Sequence, residues 1–165
     1  MDQPIDELAI VVGQKLLAKG WTITCAESCT GGGIGYALTE IAGSSGWFKQ
    51  GIISYSNEAK QQLLAVPAET LDSYGAVSEQ TVLAMAQGAA TLAQAEVAIA
   101  VSGIAGPDGG TPDKPVGTVW FGFAVNGQVQ AIKQGFKGNR QQVRLKAIEF
   151  ALSRVLRLID VNGVK

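Results

Sequence analysis

The sequence predicts an α/β sandwich built on a mixed sheet. Three observations carry that prediction. Strand-like and helix-like segments alternate through residue 102, the pattern of strands joined through helices. Residues 96–102 form a continuous apolar run, as expected of a parallel strand covered on both faces. Later, Asn126-Gly127 separates two apolar runs and signals a two-residue hairpin, which adds antiparallel strands.

Each element has a local reason. Residues 5–19 place Leu8, Val11, Val12 and Leu16 at helical spacing, and Gly20 ends the helix. Residues 21–26 are rich in β-branched side chains and read as a buried strand. A helix then starts between Thr30 and Gly33 and runs to Gly43. Residues 51–55 form a second strand, and a helix over 56–65 is capped by Ser56 or Asn57. Pro67 opens a short helical piece. Residues 78–94 form an alanine-rich helix with Ser78 as cap, packed against the sheet or a partner subunit. Strands over 116–125 and 129–136 flank the hairpin, and a helix over 139–159 closes the chain.

With 165 residues, 47% of them hydrophobic and 16% charged, the chain suits one domain covering residues 1–165. Thirteen basic and fourteen acidic residues leave a net charge of −1, so no global field draws nucleic acid or an anionic membrane. The acidic start is not a signal peptide, no apolar stretch reaches membrane-span length, and Cys25 and Cys29 do not suggest a secreted disulfide framework. The expected location is the cytoplasm. The oligomeric state stays open, with a homo-oligomer as one outcome.

The chain contains no histidine. Ser-His-Asp and Cys-His machinery is therefore absent, as are histidine metal sites, and two cysteines four residues apart make a poor metal site. Any hydrolytic base must be a lysine, carboxylate or tyrosine. The three richest polar segments, 27–33, 55–60 and 102–110, each follow a predicted strand, where α/β folds bind ligands. Ser28 falls between a strand end and a helix start, where backbone N–H groups can hold an oxyanion. A helix cap with packing glycines explains the same segment. Cys29 is a rival nucleophile or a packed thiol. Lys60, in the first turn of its helix, is either a solvated lysine or a buried one whose pKa falls until it can act as base. The 102–110 loop resembles an anion-binding nest or a turn-rich surface loop, and Arg140 could reach a phosphate. Arg144 and Lys146 read as a solvated face.

Five blocks in order carry a resemblance. They are Ala26-Glu-Ser-Cys-Thr-Gly-Gly32, Gly51-x-x-x-Tyr-Ser-Asn-x-x-Lys60, Gly75-Ala-Val-Ser-Glu79, Ser102-Gly-Ile-Ala-Gly-Pro-Asp-Gly-Gly110 and Lys114-Pro-Val-Gly-Thr-Val119. Together they resemble the CinA C-terminal domain family over nearly the whole chain. The resemblance implies a three-layer α/β/α sandwich with a mixed, mainly parallel sheet. It also implies hydrolysis of nicotinamide mononucleotide to nicotinic acid mononucleotide and ammonia, in pyridine nucleotide recycling and NAD biosynthesis. By that resemblance Ser28 is the nucleophile and Lys60 the base of a Ser/Lys dyad that needs no metal or cofactor. Tyr55 and Thr30 are expected to orient the dyad, and Cys29, Gly31 and Gly32 to supply oxyanion donors. Glu27, Asn57, Ser102, Gly103, Gly106 and Arg140 are expected to bind the nucleotide. A non-catalytic nucleotide-binding or assembly module is the alternative, with a Cys29 amidase and a phosphatase behind it.

Overall fold

The computed structural model describes residues 1–162; Gly163, Val164 and Lys165, the end of the expected 1–165 domain, lie outside the described residues. Asp2 accepts from the Ile5 N–H (3.1 Å) and caps α1 (Gln3–Lys19), with Pro4 in the first turn, where a missing amide donor costs nothing. The helix starts two residues before the predicted boundary for that reason. Among the described residues five strands follow: β1 (Ile23–Glu27), β2 (Phe48–Ile53), β3 (Val97–Gly103), β4 (Thr118–Val125) and β5 (Gln128–Gly135). The other helices are α2 (Gly33–Thr39), α3 (Asn57–Leu64), α4 (Ala68–Tyr74), α5 (Glu79–Ala93) and α6 (Arg140–Asn162).

Among the described residues the sheet order is β2-β1-β3-β4-β5. β1 pairs in parallel with β2 and β3, while β3–β4 and β4–β5 are antiparallel. Only β4 therefore runs against the other strands, so the sheet is mixed and mainly parallel, as expected. Asn126 (φ 51°) and Gly127 (φ 89°) make the predicted hairpin turn, with both central residues in the left-handed region a type I′ turn requires.

Helix α2 is shorter than its pattern suggests. The Thr39 hydroxyl donates back to Gly35 O (2.8 Å) and Tyr36 O (3.1 Å), competing with continuation, and a short 3₁₀ turn over Ser44–Gly46 follows. β2 begins and ends earlier than predicted, because its register is set by pairing with β1 from Ile23↔Phe48 to Glu27↔Ile53.

Two apolar layers enclose the sheet. On one face α1, α2 and α6 bury Leu16, Leu38 and Val155 against Val97, Ile99, Val101, Phe121 and Phe123. On the other, Val82, Met85, Ala86 and Ala89 of α5 and Leu64 of α3 meet Ala98, Ala100 and Ala124. Large residues point one way along β3 and alanines the other, so α5 lies close to the strands. The alanine-rich helix is thus consumed by the sheet. Gly122 marks the closest approach: a Cβ there would sit 2.2 Å from Val82 O.

The connections cross over on opposite faces. β1 reaches β2 through α2, on one side, and β2 returns past β1 to β3 through α3, α4 and α5, on the other. The C-terminal ends of β1, β2 and β3 therefore open into one crevice at the point where the winding reverses.

Gly122→Ala should lower stability by about 1–3 kcal/mol, because the added methyl drives α5 off the sheet. Thermal unfolding checks this, with a Tm loss of about 2–4 °C per kcal/mol. Gly135→Ala, which meets nothing within 4 Å, should not lower Tm.

Candidate active site

Ser28 follows the last residue of β1, and its N–H is held by Val101 O of β3 (3.1 Å). Lys60 arrives from the next crossover. Ser56 caps α3 by accepting from the Ala59 N–H (3.0 Å), which sets Lys60 as the fourth residue of the helix. Helical side chains slope towards the N-terminus, so the lysine leans back over the end of β2. Its Nζ lies 3.1 Å from Ser28 Oγ, 2.8 Å from Ser54 O and 3.3 Å from Tyr55 O. Lys60 is only 1% exposed.

Burial pushes the Lys60 pKa below the ordinary lysine value of 10.5, while the neighbouring Cys29 thiol works the other way. Among the described residues no carboxylate forms an ion pair with Lys60. Two of its three nitrogen contacts are carbonyl oxygens, which only accept. A neutral amine has two N–H bonds for those carbonyls and one lone pair left, and the remaining contact is the Ser28 hydroxyl.

The three polar segments converge as the sequence suggests. A cavity of about 290 Å³ is lined by Ser28, Cys29, Tyr55, Lys60, Ser102 and the loop from Gly103 to Gly109, with Arg140 at its edge. Among the described residues the Ser102 hydroxyl has no hydrogen-bond partner there, although Ser102 is buried. Arg140 donates to Gly106 O (2.7 Å) and to the Tyr55 hydroxyl (3.2 Å), joining the second and third segments at the mouth. A larger groove of about 480 Å³ between α3 and α5 holds no titratable side chain.

Other expected site residues are placed differently. Glu27 is buried, and its carboxylate is saturated: it accepts from the Thr30 hydroxyl (2.5 Å) and the N–H groups of Gly32 (3.2 Å), Ile34 (2.9 Å) and Gly35 (2.9 Å). It caps α2, where a carboxylate meets the positive end of the helix, and has little left for a nucleotide. The Thr30 hydroxyl is spent on Glu27, and Thr30 does not line the cavity. Gly32 (φ 99°) lies against Ile53, whose Cδ1 would be 2.9 Å from an added Cβ, so backbone conformation and packing explain its glycine. Gly31 gives its N–H to Ser28 O (3.0 Å). Asn57 is exposed at the start of α3 and does not line the cavity.

The expected oxyanion donors narrow accordingly. From Ser28 to Gly35, the N–H groups of Cys29 and Thr30 are those outside helix bonding that no protein acceptor takes up. The Cys29 thiol is buried, which lifts its pKa to about 11, so it is protonated at neutral pH. Burial beside Glu27 likewise raises Cys25, a core residue.

Arg144 corrects the solvated-face reading: its Nε donates to Cys29 O (3.0 Å) and its Nη2 to Thr30 O (3.3 Å). Lys146 is exposed as expected, donating to Lys137 O. Ala76 and Val77, in the turn before α5, also line the cavity. Their apolar side chains carry no chemical signal, although Gly75 (φ 79°) marks the turn that presents them. Among the described residues no three acidic or cysteine side chains gather to hold a metal, and no helix is long and apolar enough to cross a membrane.

The same arrangement of elements recurs in known proteins. A nicotinamide-nucleotide amidohydrolase, PncC, from Enterobacter agglomerans is 57% identical over 157 residues, covering 94% of this chain and 96% of that protein. The protein of the same name from Escherichia coli K12 is 51% identical over 152 residues, covering 92% of each. The crystal structure of the competence/damage inducible protein CihA from Agrobacterium tumefaciens superimposes with a TM-score of 0.93 at 43% identity, covering 96% of this chain and 97% of that one. The model of the CinA C-terminal domain matches residues 5–159. The chain belongs to the CinA C-terminal domain family.

Proposed function

We propose that this chain is a nicotinamide-nucleotide amidohydrolase, a single domain acting in the cytoplasm on nicotinamide mononucleotide. One observation carries the reaction type: a buried lysine amine with no acid partner, 3.1 Å from a serine hydroxyl at a strand end. The substrate class rests on the full-length relatives named for that activity.

Neutral Lys60 takes the Ser28 proton as Oγ attacks the carboxamide carbon. The carbonyl electron pair moves onto oxygen, where the Cys29 and Thr30 N–H groups receive it. Collapse breaks the C–N bond, and the Lys60 ammonium gives its proton to the leaving amine, so ammonia departs and an ester on Ser28 remains. Water then attacks that ester and passes a proton to Lys60. The second tetrahedral species expels Oγ, which recovers its proton from Lys60, and nicotinic acid mononucleotide leaves.

The substrate assists this cycle electrostatically. Its ring nitrogen is a cationic pyridinium, and a cation beside Lys60 disfavours the ammonium further. The anionic phosphate would do the opposite if it lay near Lys60. It is best placed at the cavity mouth, with Arg140 and the Gly103–Gly109 loop, while Ser102 has a free hydroxyl for the nucleoside portion.

Ammonia release from nicotinamide mononucleotide tests the proposal. Ser28→Ala and Lys60→Ala should each lower kcat by about 10³-fold or more. Cys29→Ala should stay within about tenfold of wild type, since its contribution is a backbone N–H. Nucleotide binding without ammonia release by the wild type would leave only a binding module. The Lys60 shift sets the pH dependence: the base must be neutral, so kcat/KM should fall as pH drops through the lowered lysine pKa. It should rise to a plateau whose midpoint lies below 10.5.

A further inference from the structure

We propose that Arg144 is a positioning residue that sets the direction of the oxyanion donors after Ser28, an inference that rests on the amidase reading. Arg144 does not line the cavity. It reaches across 115 residues of sequence to grip Cys29 O through Nε at 3.0 Å, and Thr30 O through Nη2 at 3.3 Å.

A trans peptide is planar, so its N–H points opposite to its C=O. Cys29 O and the Thr30 N–H belong to one peptide unit. Turning that carbonyl towards α6 turns the Thr30 N–H the other way and prevents the unit from flipping. The preceding unit, Ser28 O with the Cys29 N–H, is held independently by the Gly31 N–H donating to Ser28 O (3.0 Å). Both unoccupied N–H groups therefore sit on peptide units whose carbonyls are pinned. A flipped 29–30 unit would exchange a donor for a carbonyl oxygen, which repels a developing oxyanion.

The fork matters as well as the charge. Two nitrogens of one rigid guanidinium grip two successive carbonyls, which a lysine ammonium cannot match in geometry. Gly31 fits this arrangement: an added Cβ would stand 3.0 Å from Arg144 Nη2.

The test compares wild type, Arg144→Lys and Arg144→Ala by steady-state ammonia release and by amide ¹H–¹⁵N NMR of the free protein. Both variants should lose at least about tenfold in kcat, with KM for nicotinamide mononucleotide within about threefold. The Cys29 and Thr30 amide resonances should move, while those of Gly32, Ile34 and Gly35, held by Glu27, stay. A folded Arg144→Lys protein with wild-type kcat overturns the inference, as does a rise in KM at unchanged kcat, which would make Arg144 a binding residue. If Arg144→Ala fails to fold, Arg144→Lys alone decides. If the wild type releases no ammonia, the amidase reading fails by itself; unmoved Cys29 and Thr30 resonances then overturn the positioning role, and shifted ones support it.

Discussion

A lysine amine is buried against a serine hydroxyl with no acid to neutralise it, and the rest of the site is arranged around that constraint. An ammonium taken out of water without a counter-charge is expensive, so the neutral form gains. Ser54 O and Tyr55 O make neutrality useful as well as tolerable. They can accept both hydrogens of a neutral amine, which leaves its lone pair for Ser28. Those carbonyls belong to the turn between β2 and α3, so the placement of Lys60 depends on the sheet edge and on the Ser56 cap together.

Glu27 shows how the fold keeps a nearby acid from spoiling this arrangement. It precedes Ser28 in sequence, and paired with Lys60 it would raise the lysine pKa and favour the ammonium. Its carboxylate is instead enclosed by the start of α2, with three backbone N–H groups and the Thr30 hydroxyl as partners. The same contacts leave the Cys29 and Thr30 N–H groups as the unclaimed donors beside Ser28. One carboxylate thus caps a helix, forms no ion pair with Lys60 and leaves two N–H groups beside Ser28 unclaimed.

Much of this was legible in the chain. Helical periodicity, capping residues and the Asn126-Gly127 turn reported their elements because each depends on neighbours within a few residues. The convergence of the segments after β1, β2 and β3 followed from topology alone, and the absence of histidine left lysine, carboxylate or tyrosine as the candidate bases. Glu27 and Arg144 were misread for a common reason. Their partners are settled by three-dimensional closure: Glu27 by the direction in which α2 leaves the strand, Arg144 by a helix that returns 115 residues later. Arg144 carries the same local signal as Lys146, two residues on, which does remain at the surface. Strand ends were misplaced where pairing, as in β2, overrides composition.

The protonation of Lys60 in the free protein tests the central claim most directly. It can be read from the pH titration of its side-chain ¹³Cε resonance, assigned by its loss in Lys60→Met. The account predicts a midpoint clearly below the ordinary 10.5. A Lys60 whose midpoint is not lowered from 10.5 would contradict it, because an amine charged at working pH has no lone pair for Ser28.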